Sequence, residues 1–204
     1  MSFSADAAGS DFMLLADAAT GPATEDRRFA LKRATNEAHD RVESVVRDAG
    51  MFETREGFQR YLAATYAMRV RFERLLDANS AERVWADYPT RKIADLVAQD
   101  IADLGGVAVA PERGEQKACS AAELLGVMYV LEGSSLGARI LVKSVADMGL
   151  SSSFGARHLF RQAEDRGAWR SFIAAMDANL EAPCHDTARA TFDAFAAAYR
   201  DAGA

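Results

Sequence analysis

The stretch SAAELLGVMYVLEGSSLGARILVKSVADM, residues Ser120 to Met148, decides the fold, because it is a long apolar helical pattern that contains three glycines. Ser120 is followed three residues later by Glu123, which is the capping-box signature of a helix N-terminus. A glycine inside a helix costs about 1 kcal/mol relative to alanine. Gly133 and Gly137 are four residues apart and therefore share one helix face. That face predicts the close approach of something large, either a flat ligand or a neighbouring helix.

The remaining chain also follows helical periodicity, with neither an alternating strand pattern nor an internal repeat. The pattern predicts an all-α fold of about seven or eight helices in a single domain over residues 25–204. Residues 1–24 are predicted to be a flexible N-terminal tail, since they are rich in small and polar residues and end at Gly21-Pro22. Besides the helix after Ser120, helices are predicted over about 25–49, 54–77, 90–104, 153–164, 168–180 and 187–200.

Composition excludes several classes of protein. The 204 residues fit one domain, and the net charge of -6 argues against a nucleic-acid binder, which normally carries a basic stripe. The most apolar run, Leu124 to Leu131, is bounded by Glu123 and Glu132 and is short for a membrane span, which takes about 20 residues. The N-terminus lacks the basic region of a signal peptide. We therefore expect a cytoplasmic protein that binds neither nucleic acid nor membrane, with Cys119 and Cys184 as reduced thiols.

His39 lies inside the first predicted helix, in the sequence LKRATNEAHDRVES. Thr35 precedes it by four residues and Glu43 follows it by four, so the three side chains share one helix face. A metal-bound imidazole normally donates its other ring N–H to a carboxylate, carbonyl or water, which fixes its orientation. Glu43 is placed to be that acceptor. The same spacing is common on helix surfaces, so the pattern alone leaves an ordinary surface histidine as the alternative.

Taken together, the two segments resemble the haem oxygenases. Thr35, His39 and Glu43 are similar to the Thr-x3-His-x3-Glu pattern of the proximal helix in that family, and the sequence GSSLGA from Gly133 to Ala138 is similar to the distal pattern Gly-(Asp or Ser)-x-x-Gly-(Gly or Ala). The resemblance covers about residues 25–200 and is closest to the bacterial type. It implies a haem-oxygenase-like fold in which haem is sandwiched between the proximal and distal helices, with His39 as the iron ligand.

The resemblance implies an enzyme that cleaves haem, which is both cofactor and substrate, to biliverdin, ferrous iron and CO. It further implies a need for O2 and for electrons from an external donor, a ferredoxin and/or a flavoprotein reductase, with a phytochrome as a candidate bilin acceptor. Gly133, Ser134 and Gly137 are the implied catalytic residues, because distal glycines steer the bound oxygen and distal polar groups hold the water that delivers protons. Ser134 stands where animal-type enzymes have aspartate, which leaves the proton-delivery residues unassigned; Arg91 and Lys92 are weak candidates.

The resemblance also implies contacts to haem. Lys32 and Arg170 resemble anchors for the haem propionates, and Arg139 and Lys143 lie beyond the distal glycines as further basic candidates. Tyr129, Trp169, Phe192 and Tyr199 resemble pocket walls. The predicted haem-binding residues are Lys32, Thr35, Glu43, Tyr129, Arg139, Arg170, Phe192 and Tyr199.

Two other interpretations stay open. The first is a haem-binding or sensing protein without turnover. It stays open because three residues depart from the family pattern: Ser134, and Asn36 and Ala174 at two positions where the family commonly anchors haem. A helical protein of the same fold that binds no haem is the second. His158 and His185 belong to no second motif, so we expect His158 to be exposed or half-buried and His185 to be exposed.

Overall fold

A computed structural model describes residues 22–114, 117–165 and 167–204. These residues form seven α-helices and two short 3-10 turns, which confirms the predicted all-α fold. The predicted tail at 1–24 lies outside the described residues, except that Pro22 already begins the first helix. The helices are α1 (Pro22–Asp48), α2 (Arg55–Ala78), α3 (Ala94–Asp103), α4 (Ala121–Asp147), α5 (Arg157–Glu164), α6 (Ala168–Ala178) and α7 (His185–Gly203), and the 3-10 turns are Ala81–Arg83 and Tyr88–Arg91.

Local signals explain where the long helices begin. The Thr54 hydroxyl accepts the backbone N–H of Gly57 at 3.0 Å, which caps α2. At the start of α4 the Ser120 hydroxyl accepts the N–H of Glu123, and the Glu123 carboxylate accepts the N–H of Ser120. This reciprocal pair confirms the predicted capping box.

Two shorter helices begin later than the sequence predicts, because their N-termini are capped by carboxylates from other helices. The helix predicted from residue 90 is a 3-10 turn followed by α3, whose Ile93 N–H donates to Glu73 on α2 at 2.9 Å. The helix predicted from residue 153 begins at Arg157, where Asp100 on α3 accepts the Arg157 N–H at 2.9 Å. Gly155 just before it has φ 74°, in the left-handed region, which ends the preceding turn.

Helix α4 is the centre of the core. It packs on α5, α6 and α7, while α7 also packs along α1 and α2. Within the described residues, α1 and α4 have little direct contact with each other. The apolar run from Leu124 to Leu131 belongs to this longer helix, and α4 as a whole is long and apolar enough to cross a membrane. A core helix gives the same signal, and 56% of its apolar window is buried in the protein.

The structure corrects the expectation for His158, which is fully buried rather than exposed or half-buried. Its Nδ1 lies 2.7 Å from Oδ2 of Asp100, a carboxylate that is also fully buried. The rings of Phe58 and Tyr61 stack against it. The sequence could not show this pairing, because Asp100 lies 58 residues away on another helix.

Burial lowers the pKa of His158, which predicts a loss of stability in mild acid. The unfolded chain takes up a proton below its ordinary pKa of about 6.5, whereas the folded protein keeps the ring neutral, so the free energy of unfolding falls as the pH drops below that value. Urea unfolding between about pH 7 and about pH 5.5 measures this dependence. His158→Gln is expected to be less stable at neutral pH by about 1–3 kcal/mol, because the buried Asp100 carboxylate loses one of its hydrogen-bond partners, and to have a flatter pH dependence.

His185→Gln is the matched control, since that histidine is only half-buried at the start of α7. It should keep the pH dependence of the wild type. Equal slopes for the wild type and His158→Gln would contradict the assignment.

Candidate active site

His39 is half-buried on α1, and its Nδ1 faces two carboxylates. The Nδ1 atom lies 3.7 Å from Oε1 of Glu43 and 3.9 Å from Oδ1 of Asp40. The ring of Phe192 on α7 packs edge-on against the imidazole, with centroids 5.6 Å apart. The two carboxylates lie on the Nδ1 side of the ring, beyond direct hydrogen-bond distance, and Phe192 limits rotation of the ring, so Nε2 is the nitrogen available to a metal.

Thr35 and Tyr129 bring the two motif segments together. Thr35 is buried one turn before His39, and its hydroxyl donates to the Leu31 carbonyl at 2.9 Å. Tyr129 is buried one turn before Gly133 on α4, and the Thr35 side chain is within hydrogen-bonding reach of its phenol. Burial raises the pKa of Tyr129 to about 12, so the phenol stays protonated. The histidine-bearing helix α1 and the glycine-bearing helix α4 therefore approach each other at Thr35 and Tyr129.

Gly126 and Gly133 of α4 differ in the structural reason for glycine at the position. A Cβ at Gly126 would lie 2.6 Å from the carbonyl oxygen of Cys184, so close packing of α4 on the start of α7 requires glycine there. A Cβ at Gly133 would meet only the Trp169 ring, at 3.8 Å, which is ordinary van der Waals contact. Helix packing therefore does not explain Gly133. Gly133 is half-buried, and its face of α4 is open in the sense that a Cβ there would clash with nothing, so a flat ligand such as a porphyrin that lies against this face would account for the glycine.

The Ser134 side chain is exposed on the same turn, and its hydroxyl is held by three partners. It donates to the Leu131 carbonyl at 2.7 Å. It accepts from Nη2 of Arg69 and from Nε2 of Gln162, each at 2.8 Å. Arg69 lies on α2 and is only 4% exposed.

Arg91 is buried rather than solvated, unlike its neighbour Lys92. Its guanidinium makes a bidentate ion pair with Glu132 at 3.0 and 3.1 Å and a third contact with Asp165 at 2.6 Å. Lys92 is exposed and pairs with Asp77 on the surface. Burial raises the pKa of Glu132, and the hydrogen bonds from Arg91 oppose that shift.

The predicted anchors lie on three different helices. Lys32 is half-buried on α1, while Arg139 on α4 and Arg170 on α6 are exposed. In the part of the chain that the structure describes, none of the three has an ion-pair partner within 4.0 Å, so their charges are available to an anionic ligand. Asn36, in contrast, donates to Asp40.

The aromatic residues divide into two groups. Trp169 lies beside both Tyr129 and Gly133, which places it at the glycine face, and Phe192 lies at His39. Tyr199 packs in the core between α2 and α7, where its ring stacks on Tyr61 and its hydroxyl is 3.0 Å from that of Thr65. A wall role for Tyr199 stays a prediction.

Arg69 and Gln162 were not predicted as site residues from the sequence. One signal for Arg69 was present: it follows Thr65 by four residues and precedes Phe72 by three, so it lies on the buried stripe of α2. A charged residue on such a stripe indicates a buried partner. Gln162 has no comparable signal, because its partner Ser134 is on another helix.

The geometry defines an all-α protein in which a histidine-bearing helix faces a glycine-bearing helix with an open face. The chain matches the model of the Heme oxygenase family over residues 28–201. It is 37% identical to Heme oxygenase PigA of Pseudomonas aeruginosa over 153 residues. The matched region covers 74% of this chain and 77% of that protein. The chain therefore belongs to the haem oxygenase family, and it is an enzyme of this type.

The fold also matches a solved structure, the NO- and CO-bound haem oxygenase from Neisseria meningitidis. The TM-score is 0.76 at 23% sequence identity, over 90% of this chain and 93% of that one. This likeness confirms the predicted haem-oxygenase-like fold.

The two glycines of α4 predict opposite responses to alanine. Gly133→Ala is expected to raise the free energy of unfolding of the apoprotein by up to about 1 kcal/mol, because the Cβ fits and alanine favours the helix. The same substitution should weaken ferric haem binding, because the Cβ occupies the open face. Gly126→Ala is the matched variant and should destabilise the apoprotein, because its Cβ clashes with a backbone carbonyl. Urea unfolding and haem titration of both variants measure these effects; equal destabilisation of the two apoproteins would contradict this account.

Proposed function

We propose that this protein cleaves haem to biliverdin, ferrous iron and CO, using O2 and electrons from an external donor. The observation that carries the proposal is the pairing of His39, whose Nδ1 faces Glu43, with a helix face at Gly133 that packing leaves open. When bound, haem supplies both the iron that activates O2 and the ring that is cleaved. The protein's own contribution is to bind, orient and restrict access.

On the proximal side, His39 would hold the haem iron through Nε2. Glu43 lies within 4 Å of Nδ1 and accepts a hydrogen bond from the Nδ1–H group, directly or through water. This hydrogen bond orients the ring and increases its basicity. Asp40 is slightly farther from Nδ1 and already accepts a hydrogen bond from Asn36. Glu43 is therefore the principal orienting carboxylate.

At the edges of the site, Lys32, Arg139 and Arg170 bind the haem propionates. A well-formed hydrogen bond to a charged group contributes about 1.5–3 kcal/mol, so two or three of them fix the rotation of haem about the iron. Tyr129, Thr35, Phe192 and Trp169 supply the apolar and aromatic contacts beside it, with Tyr199 behind them.

On the distal side, Gly133 and Gly137 allow a ligand to approach the α4 backbone. A side chain at either position would project from the same face, so glycine at both positions would let haem and a small ligand approach the backbone of α4. Ser134 lies between them in the sequence, and its hydroxyl is held by Arg69 and Gln162.

The donor is a ferredoxin and/or a flavoprotein reductase whose acidic face docks on the basic beginning of α1. Lys32 is half-buried and Arg33 is exposed there, and Lys32 is also one of the proposed propionate anchors. Opposite charge on the donor speeds encounter and fixes its orientation. We place the protein in the cytoplasm, with a phytochrome as a candidate acceptor of the bilin.

Titration with ferric haem, followed by reduction in air, tests the function. A one-to-one Soret band that His39→Ala removes and His185→Ala retains would establish the ligand. With ascorbate or a ferredoxin–reductase pair, the Soret band should decay as biliverdin absorption grows in the red and CO is released. A complex that persists with competent donors would make the protein a haem carrier or sensor, and the absence of a saturable complex would refute haem binding.

The proximal carboxylates give a sharper prediction. Glu43→Gln is expected to weaken haem affinity or activity by about 10–100-fold, because the hydrogen-bond acceptor of the iron ligand loses its negative charge. Asp40→Asn removes a charge at nearly the same distance from His39 and should have a smaller effect. The haem dissociation constant and the iron–histidine stretching frequency measure both. A larger effect of Asp40→Asn would assign the orienting role to Asp40.

A further inference from the structure

A buried arginine lies directly behind the face of α4 that carries Ser134. Arg69 is 4% exposed, and its Nη2 donates to both the Leu131 carbonyl at 2.9 Å and the Ser134 hydroxyl at 2.8 Å. Burying a guanidinium is costly unless it is paired and hydrogen-bonded. Its position between the core and the open face of α4 therefore needs a reason.

The hydroxyl of Ser134 has no capacity left in this arrangement. A serine hydroxyl has one proton to donate and two lone pairs. The proton is directed to the Leu131 carbonyl at 2.7 Å, and the two lone pairs accept from Arg69 and Gln162 at 2.8 Å each. Ser134 is nevertheless an exposed residue of α4, so a hydroxyl that is polarised by a buried cation lies where the core meets the surface of this helix.

We propose that Arg69 is a positioning residue of the distal side, which, together with Gln162, fixes the Ser134 hydroxyl and places a buried positive charge behind the face of α4 at Gly133. This inference rests on the proposed function. The hydroxyl is held toward the Leu131 carbonyl, so it does not donate to a ligand on that face. The guanidinium favours negative charge on such a ligand, because opposite charges stabilise each other in a poorly solvated site.

The polar groups continue inward from Arg69. A cavity of about 10 Å³, enough for one water molecule, is lined by Arg69 together with Glu73, Tyr88, Arg91 and Glu132. The guanidinium thus lies between the exposed face of α4 and two buried carboxylates. The titratable groups near Arg69 are Tyr61 and Glu73 on α2, Tyr88 on the second 3-10 turn, Glu132 on α4, His158 on α5 and Tyr199 on α7.

The test compares Arg69→Met and Arg69→Lys with Ser134→Ala and Gln162→Ala. Arg71→Met is the matched control, because Arg71 is an exposed arginine on the same helix. The first readout is the pH midpoint of the acid–alkaline spectral transition of the ferric haem complex. Arg69→Met should raise this midpoint by about one pH unit, because the buried cation is lost. Arg69→Lys keeps the charge and should restore most of the wild-type midpoint, and Arg71→Met should leave it unchanged.

The second readout needs no haem. Urea midpoints of the apoproteins of Arg69→Met, Ser134→Ala and the double variant form a double-mutant cycle. Because Arg69 acts through Ser134, the effect of Ser134→Ala should be much smaller when Arg69 is already replaced. Gln162→Ala should show the same coupling to Ser134→Ala. If Arg69→Met does not fold, the cycle of Gln162→Ala with Ser134→Ala is the measurement that tests the proposal.

The outcomes separate the two claims. Additive apoprotein effects, or an unchanged spectral midpoint in both Arg69→Met and Gln162→Ala, would overturn the positioning role while leaving the proposed function intact. A purely structural role would lower the urea midpoint without moving the spectral midpoint. A wild-type protein that forms no saturable haem complex would overturn the proposed function and this inference with it.

Discussion

The bidentate ion pair between Arg91 and Glu132 is the contact on which the geometry of the site depends. It lies where α4 changes from a fully buried core helix into a wall with half-buried and exposed residues, beginning at Gly133. Arg91 also binds Asp165, whose carboxylate accepts backbone N–H groups at the start of α6. Removing one partner of such a buried pair typically costs about 3–5 kcal/mol, since the other charge is left without compensation. One guanidinium therefore holds α4, the second 3-10 turn and α6 in a fixed relation.

Much of the fold was predictable, because its signals are local. The capping box at Ser120, the cap at Thr54 and the helical periodicity act within a few residues, so the sequence is enough to locate the long helices. The short helices were misplaced because Glu73 and Asp100 cap them from a distance. A carboxylate that caps another helix is indistinguishable, in sequence, from one that faces solvent. The burial of His158 was missed for the same reason.

The site was predictable only where its residues fall into a motif. The spacing of Thr35, His39 and Glu43 appears in the structure as one helix face with Nδ1 of the histidine directed at carboxylates. Periodicity treats all interior glycines alike, however, and only the packing environment separates Gly126 from Gly133. Arg69 was overlooked because a charged residue is normally assigned to the surface, and its burial depends on partners on α4.

Capping from a distance also links the stability of separate helices. Helices α3 and α5 have only 10 and 8 residues, and helices of that length are marginal on their own. The N-terminus of α3 is closed by Glu73 on α2, and that of α5 by Asp100 on α3, so each requires the previous helix to be in place. These three segments therefore form one cooperative unit, in which the loss of α3 exposes the amides of α5 to solvent exchange at the same time.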